Sequence, residues 1–149
     1  MMILSTWDLT GAPAIDVPVT LSEACMRVGR DILQAISAEV PQGMQWMLAE
    51  DNEYGQTLLL GLNAEELQFS RSIDLALSAS RLTKSVAELV QDHLAGFEFI
   101  QWPICPGHTH PMVPASDDTG AWWRCRSTGR NVVSIGELPT SARPTSEAA

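Results

Sequence analysis

The feature that most constrains the fold is a pair of amphipathic helical patterns separated by three short strand-like segments. In two parts of the chain, apolar side chains recur at three- and four-residue spacing, which places them on one face of an α-helix. We therefore predict helices over about 21–39 and about 82–96, with polar residues such as Asp31 facing solvent. The segment 20–23, Thr-Leu-Ser-Glu, has the form of a capping box that begins the first helix.

Between the two helical patterns, three apolar segments have the length of β-strands. They span 44–50, 56–62 and 67–71, and the polar connections between them cover 51–55 and 63–66. Connections this short favour antiparallel neighbours in a sheet. The predicted fold class is therefore α+β, with two helices packed on an antiparallel β-meander.

The two ends of the chain lack the patterns of the middle. Residues 1–19 contain two prolines and little periodicity, so we predict an extended lead-in from which Trp7 and Ile15 dock on the rest of the protein. The last residues, 139–149, are small and polar, which is typical of a disordered tail. We expect residues 1–138 to form a single α+β domain.

Length and composition agree with one globular domain. The chain has 149 residues, of which 45% are hydrophobic and 18% charged, within the range of ordinary globular proteins. No apolar run approaches the roughly 18 residues that would cross a bilayer. Asp8 follows a start that has no basic residue, which argues against a secretory signal. These observations predict a cytoplasmic protein with no membrane partner.

The net charge of −9 is concentrated in the first two thirds of the chain. Residues 1–103 hold 5 basic and 14 acidic side chains, whereas residues 104–149 hold 4 of each. An acidic surface repels phosphate backbones, so nucleic acid is an improbable partner. Arg124, Arg126 and Arg130 form a small basic cluster, which is explained most simply by solvated positions on a hairpin.

A group of cysteine and histidine residues in the C-terminal third has the composition of a metal site. Cys105 and His108 are separated by two residues, His110 follows closely, and Cys125 lies 20 positions after Cys105. Thiolate and imidazole are the side chains that hold zinc in structural sites, and a C-x-x-H turn brings two of them together. A β-hairpin is predicted around the second cysteine, with strands over 121–125 and 131–135.

This segment resembles a zinc ribbon, in which a Cys-Pro-x-Cys turn and a Cys-x-x-Cys-Gly turn share one metal ion. The segment starting at Cys105 matches the first turn with His108 in place of the second cysteine, and the segment starting at Cys125 matches the second turn. Thr128 stands where the last ligand belongs, so the resemblance implies a zinc-ribbon-like subregion over 97–138 in which His110 is the fourth ligand. The pattern that includes Ile-Gly-Glu-Leu near its end is also similar to small uncharacterised actinobacterial proteins, which suggests a bacterial source.

Other interpretations of these residues stay open at this point. The two cysteines could be buried apolar side chains, a disulfide or the remains of a lost metal site. If zinc is bound, a closed site would be structural, whereas an open site of Cys105, His108 and Cys125 could activate water. The acids nearest in sequence, Asp117 and Asp118, fall in a predicted loop and do not form a clear general base. We therefore expect a structural site.

The tryptophans of the predicted hairpin suggest an interaction surface. Trp122 and Trp123 are adjacent, so they point to opposite faces of a strand, and Arg124 and Arg126 follow. Tryptophan and arginine are enriched at protein interfaces, although both indoles could equally be covered by other parts of the chain. The sequence thus favours a non-enzymatic accessory, adaptor or toxin-neutralising protein that binds another protein. The alternative is a small zinc-dependent hydrolase.

Overall fold

A computed structural model describes residues 1–36, 43–53, 57–63 and 67–139 of the chain. The elements, in chain order, are β1 (Met2–Asp8), α1 (Val19–Ile36), β2 (Gln45–Asp51), β3 (Thr57–Asn63), β4 (Leu67–Ser72), α2 (Ala79–Phe97), β5 (Val113–Asp117), β6 (Gly120–Arg124) and β7 (Asn131–Ser134). We call β1–β4, α1 and α2 the body, and residues 98–139 the C-terminal region. The α+β class is confirmed. The predicted tail from residue 140 onward lies outside the described residues.

The first sheet has four strands rather than the three predicted. Its order is β1-β2-β3-β4 and every pair is antiparallel, so the predicted meander is present with β1 added at its edge. The lead-in is extended over residues 2–8, as predicted, but these residues form a strand of the sheet, which the sequence did not reveal. Trp7 pairs with Trp46 across the β1–β2 register, and its side chain is buried. Pairing with β2 therefore defines this strand, since its other side chains show no regular alternation of burial.

The second sheet contains the predicted hairpin and one further strand. Strands β6 and β7 pair in antiparallel register, as predicted, and β5 pairs with the other side of β6. The additional strand includes Pro114, which lies opposite Trp123. Because β5 is at the edge of the three-stranded sheet, a proline there removes no hydrogen bond that the sheet needs.

Both helices have different ends from those predicted. Helix α1 begins at Val19, and the carbonyl of Pro18 accepts hydrogen bonds from the amides of Leu21 (3.0 Å) and Ser22 (3.3 Å). The predicted capping box is therefore inside the helix. Helix α2 begins earlier than predicted, after the N-cap Ser78, and it runs past the predicted C-cap to Phe97. The predicted end of α1 near residue 39 lies outside the described residues.

The core joins the body to the C-terminal region. Trp46, Leu60 and Leu89 from the body belong to the same buried cluster as Met112 and Trp123. A cluster of this extent supplies most of the free energy that opposes the entropy of the unfolded chain. No helix of the described residues is long and apolar enough to cross a membrane.

One buried carboxylate connects α1 to the end of the C-terminal region. Asp31 was predicted on the solvent face, but it is fully buried. Its oxygens accept hydrogen bonds from Trp123 Nε1 (2.8 Å) and from the amides of Gly136 (2.6 Å) and Leu138 (3.0 Å). Burial raises the pKa of the Asp31 carboxyl, and these three donors and Arg30 oppose that effect. A buried carboxylate with three donors is a structural link, because every donor would lose its partner without it.

Candidate metal centre

Two turns bring the predicted ligands together. The first, the Cys105 loop (residues 103–111), is closed by a bridge between Ile104 and Pro111 and by a hydrogen bond from the amide of Cys105 to the carbonyl of His110, 3.0 Å. Inside it, the amide of His108 donates to the carbonyl of Cys105, also at 3.0 Å. The intervening Gly107 has φ +80°, a conformation that glycine adopts at no steric cost. The C-x-x-H turn predicted from the sequence is therefore present.

The second turn, the Cys125 turn (residues 125–130), follows directly after β6. The amide of Cys125 donates to the carbonyl of Arg130 at 2.8 Å, and the amide of Gly129 donates to the carbonyl of Cys125 at 2.9 Å. Gly129 has φ +72°, so the glycine that ends the ribbon-like motif has the left-handed conformation that the turn requires. The backbone hydrogen bonds of this turn position the Cys125 side chain.

Cys105, His108 and Cys125 form a group with the geometry of a metal site, and we call these three residues the metal group. Their ligand atoms lie within 4.8 Å of one another. His108 Nδ1 is 3.3 Å from Cys105 Sγ and 3.5 Å from Cys125 Sγ. Zinc bonds of about 2.3 Å to sulfur and 2.0–2.1 Å to nitrogen, at tetrahedral angles, would separate sulfur and nitrogen by about 3.6 Å. The three side chains are therefore close to the arrangement that one zinc ion requires.

Hydrogen-bond donors around Cys125, from a side chain and from the backbone, favour its thiolate. The hydroxyl and the amide of Thr128 lower the pKa of the Cys125 thiol to about 6, with help from the Cys105 thiol and the Ser127 amide. Burial, followed by the neighbouring Cys125, raises the pKa of Cys105. All three cysteines of the chain are free thiols, and metal ions bind the thiolate form. Amide donors directed at a sulfur atom are thus what a metal-binding turn needs.

His110 lies beside the group but is not part of it. Its ring stacks on that of His108 at a centroid distance of 5.0 Å and an angle of 14°. Its Nε2 lies 2.8 Å from the Ser127 hydroxyl, and its Nδ1 lies 3.3 Å from the carbonyl of Pro111. The structure therefore brings together three of the four predicted ligands and holds the fourth in other contacts.

A glutamine of α2 positions the Cys105 loop, and the sequence analysis did not identify it. Gln91 Nε2 donates to the carbonyl of Trp102 (2.9 Å) and to that of Met112 (2.6 Å), the two residues that flank the loop. The Met112 amide also donates to the Pro103 carbonyl at 2.7 Å. No sequence signal distinguishes this glutamine from a solvent-facing one, because its partners are backbone atoms far along the chain.

A cavity of about 250 Å³ borders the metal group. All three ligand residues contribute to its wall, together with Thr128 and Arg130. The two sulfurs belong to buried residues, whereas His108 is exposed. The group therefore lies at the surface, with its sulfur side covered and its imidazole side accessible.

The four residues predicted as an interface have different environments. Trp123 is fully buried and bonded to Asp31, so it cannot contact a partner, and its assignment to an interface was wrong. Trp122 is half-buried on the opposite face of β6, as expected for adjacent strand residues. Arg124 is on the same face and donates to Asn131 Oδ1 at 2.9 Å. Arg126 is exposed.

The nearest acids in sequence are not part of the metal group. Asp117 and Asp118 lie at the β5–β6 turn, where Asp117 accepts hydrogen bonds from the Thr119 amide and from Trp122 Nε1. These donors, with Thr119 contributing most, lower the pKa of the Asp117 carboxyl. A carboxylate stabilised in its charged form and held in a turn is a poor proton acceptor.

In comparisons with known proteins, no family model, no curated protein and no solved structure matches this chain.

Proposed function

We propose that this chain is a zinc-binding accessory or adaptor protein without enzymatic activity, of which a toxin-neutralising protein is one form. In this proposal the zinc ion holds the Cys105 loop on the Cys125 turn, and the outer face of the second sheet binds another protein. The group of Cys105, His108 and Cys125, with sulfur–nitrogen distances of 3.3 and 3.5 Å, is the observation that carries the zinc part of the proposal.

The donor set favours zinc over the hard divalent cations. Two thiols and one imidazole are soft or borderline ligands, whereas calcium and magnesium require oxygen atoms. The two ligand turns are 20 residues apart in the chain, so one ion would join two separate segments of the C-terminal region. A metal in this position would stabilise the C-terminal region, as structural zinc does in small domains.

The outer face of the second sheet supports the partner-binding part. Trp122 and Arg124 are neighbours on this face, and both residue types are common at the centre of protein interfaces. Trp123 anchors the same strand to the core through Asp31. A rigid strand that presents an indole and a guanidinium loses little entropy on binding.

Metal content tests the zinc part. Native mass spectrometry and elemental analysis of freshly reduced protein should give one zinc per chain, and Cys105→Ser should lose it. Cys25→Ala is the matched control, because Cys25 is buried in the core outside the metal group, and it should keep its zinc. The zinc site would be excluded if the wild-type protein contained no metal, or if Cys105→Ser still contained one zinc per chain.

Affinity capture tests the partner-binding part. A protein recovered with the wild type from a bacterial lysate should be lost with Trp122→Ala and retained with Glu88→Ala, which changes an exposed residue of α2. Zinc content and circular dichroism show whether each variant is folded. If folded Trp122→Ala recovers every partner of the wild type, the outer face of the sheet is not the binding surface.

A zinc-dependent hydrolase is the second candidate, and the cavity beside the ligands favours it. A site with three ligands and adjoining space can hold a water molecule on the metal. However, the cavity wall formed by the described residues contains no carboxylate to act as a general base. Turnover of an ester, amide or phosphate substrate that disappears with His108→Ala would support this function over the first.

A further inference from the structure

We propose that the fourth coordination position of this metal is open and takes a small anion. Arg130 supplies the opposing positive charge, and Thr128 keeps the position free of a protein ligand. This inference rests on metal binding as proposed above, and it goes further by naming the class of ligand that the centre accepts.

The position of the cavity is the first argument. A tetrahedral metal bound by Cys105, His108 and Cys125 has one remaining direction, and all three residues border the same cavity of about 250 Å³. This space exceeds the roughly 30 Å³ that one water molecule takes up in the liquid. A ligand of several atoms therefore fits beside the three side chains.

Thr128 provides the second argument. It lies at the place in the Cys125 turn where a ribbon-like motif has its last cysteine. Its Oγ1 accepts a hydrogen bond from the Arg130 amide at 3.3 Å, and its side chain offers neither the thiolate nor the imidazole that zinc prefers. The threonine therefore leaves this position without a protein ligand.

His110 is held away from the fourth position by contacts of its own. Both of its ring nitrogens have neighbours, the Ser127 hydroxyl at 2.8 Å and the Pro111 carbonyl at 3.3 Å. To bind the metal it would have to give up the Ser127 contact at Nε2 or the Pro111 contact at Nδ1, and it would have to move from its stacked position on His108. These contacts favour an external ligand over closure of the site by this histidine.

The positive charge of Arg130 favours an anion as the fourth ligand. A zinc ion with two thiolates and one neutral imidazole has no net charge, so a bound anion would make the centre negative. Arg130 belongs to the cavity wall, and the wall described here includes no acidic residue. A guanidinium that reaches an anion in this cavity would offset the anion's charge and could also donate hydrogen bonds to it.

Cobalt substitution with azide as the probe tests this inference. Co(II) replaces zinc in such sites and its visible absorption reports the ligands. In the full-length Co(II) protein, azide should change the absorption in a saturable way. Arg130→Gln should weaken the apparent azide affinity roughly tenfold without loss of Co(II). Arg126→Gln is the matched control, since Arg126 is an exposed arginine outside this cavity wall, and it should behave as the wild type.

Two further variants define the fourth position itself. Thr128→Cys should complete the ribbon-like ligand set, so Co(II) should show stronger sulfur charge-transfer absorption and no response to azide. His110→Ala should leave both the Co(II) spectrum and the azide response unchanged.

The outcomes separate this inference from the proposed function. If the wild-type Co(II) spectrum does not respond to azide, or if His110→Ala changes that spectrum, the site is closed and the inference is wrong, while the metal centre stands. If Arg130→Gln binds azide as tightly as the wild type, the charge argument fails. If the wild-type protein binds neither zinc nor Co(II), the proposed function is wrong and the inference falls with it.

Discussion

The body and the C-terminal region are stabilised by different kinds of contact. In the body, the contacts that matter are between apolar side chains such as Leu21, Trp46 and Leu82, all of them fully buried. The C-terminal region shares that core through Met112 and Trp123, and it adds hydrogen bonds to the Asp31 carboxylate and a group of two thiols and one imidazole. Apolar contacts tolerate small displacements, whereas polar contacts depend on distance and direction.

This difference predicts which changes affect one region without the other. Loss of a metal ligand should loosen the C-terminal region and leave the helices of the body intact. A substitution that prevents two backbone segments of the body from packing closely should destabilise the body first. The four predictions below use this contrast, in order of decreasing effect on the free energy of unfolding.

Removal of the proposed zinc ion should have the largest effect. At a free zinc concentration 1,000 times the dissociation constant, binding stabilises the folded state by about 4 kcal/mol, and Cys125→Ser should lose that amount. Urea unfolding with and without a chelator measures it. The far-ultraviolet circular dichroism of α1 and α2 should survive in the variant, and a chelator should have no further effect on it. Collapse of the helical signal would show that the two regions are not separable.

Replacement of Asp31 should have the next largest effect. Asp31→Ala removes the acceptor of three buried hydrogen bonds, and unpaired buried donors cost about 1–3 kcal/mol each. Relief of the carboxylate from burial offsets part of this, so we expect a loss of about 3 kcal/mol in urea unfolding. Glu88→Ala, an exposed change on the other helix, should stay within about 0.5 kcal/mol of the wild type. Equal stabilities of the two variants would contradict a linking role for Asp31.

A glycine in α1 allows this helix to pack directly against the backbone at the end of β1. A Cβ atom on Gly29 would lie 1.9 Å from the carbonyl oxygen of Leu9, which also accepts from Trp46 Nε1 at 2.9 Å. Gly29→Ala should therefore push the backbone apart and lower the free energy of unfolding by about 2 kcal/mol. Zinc content should not change.

A second helical glycine provides the control for that substitution. Gly96, near the end of α2, has nothing within 4 Å of an added Cβ. Gly96→Ala should therefore raise stability by about 0.5–1 kcal/mol, because alanine has the higher helix propensity. If Gly29→Ala were also stabilising, the close approach to Leu9 would not exist in solution.

The smallest effect is a dependence on pH. Because burial raises the pKa of Asp31, the folded state binds this proton more tightly than the unfolded state does. The free energy of unfolding should therefore fall as pH rises from about 3.9, the unfolded value, to the raised folded pKa. It should level off above that, with a slope of at most about 1.4 kcal/mol per unit. Asp31→Asn should lack this contribution, so the difference between the two unfolding curves should change across acidic pH. A constant difference would contradict a raised pKa.

The same contrast explains what the sequence could predict. The helices were predictable because local periodicity places their apolar residues on one face, and β2, β3 and β4 were predictable because they are short apolar segments separated by short polar connections. Strands β1 and β5 were not predictable, because each exists through pairing with a neighbour and contains few regularly alternating side chains. Local pattern therefore predicts elements that bury their own faces and misses those that depend on a partner strand.

The residues of the candidate site also differ in whether the sequence could predict them. Cys105, His108 and Cys125 were predictable, because ligand chemistry and turn spacing are both visible in the sequence. The roles of Asp31 and Gln91 were not predictable, since a polar residue on an amphipathic helix has the same pattern whether it meets water or a distant backbone amide. The position of His110 depends on its contact with Ser127, 17 residues away, which spacing alone does not reveal.

The hydrogen bonds of Asp31 also have a consequence for synthesis on the ribosome. Its amide donors, Gly136 and Leu138, follow it by 105 and 107 residues. While the chain emerges, the first helix carries a carboxylate that must stay hydrated until those amides leave the exit tunnel. The helix can therefore dock fully only after Leu138 has left the tunnel, so the link between α1 and the C-terminal region forms late.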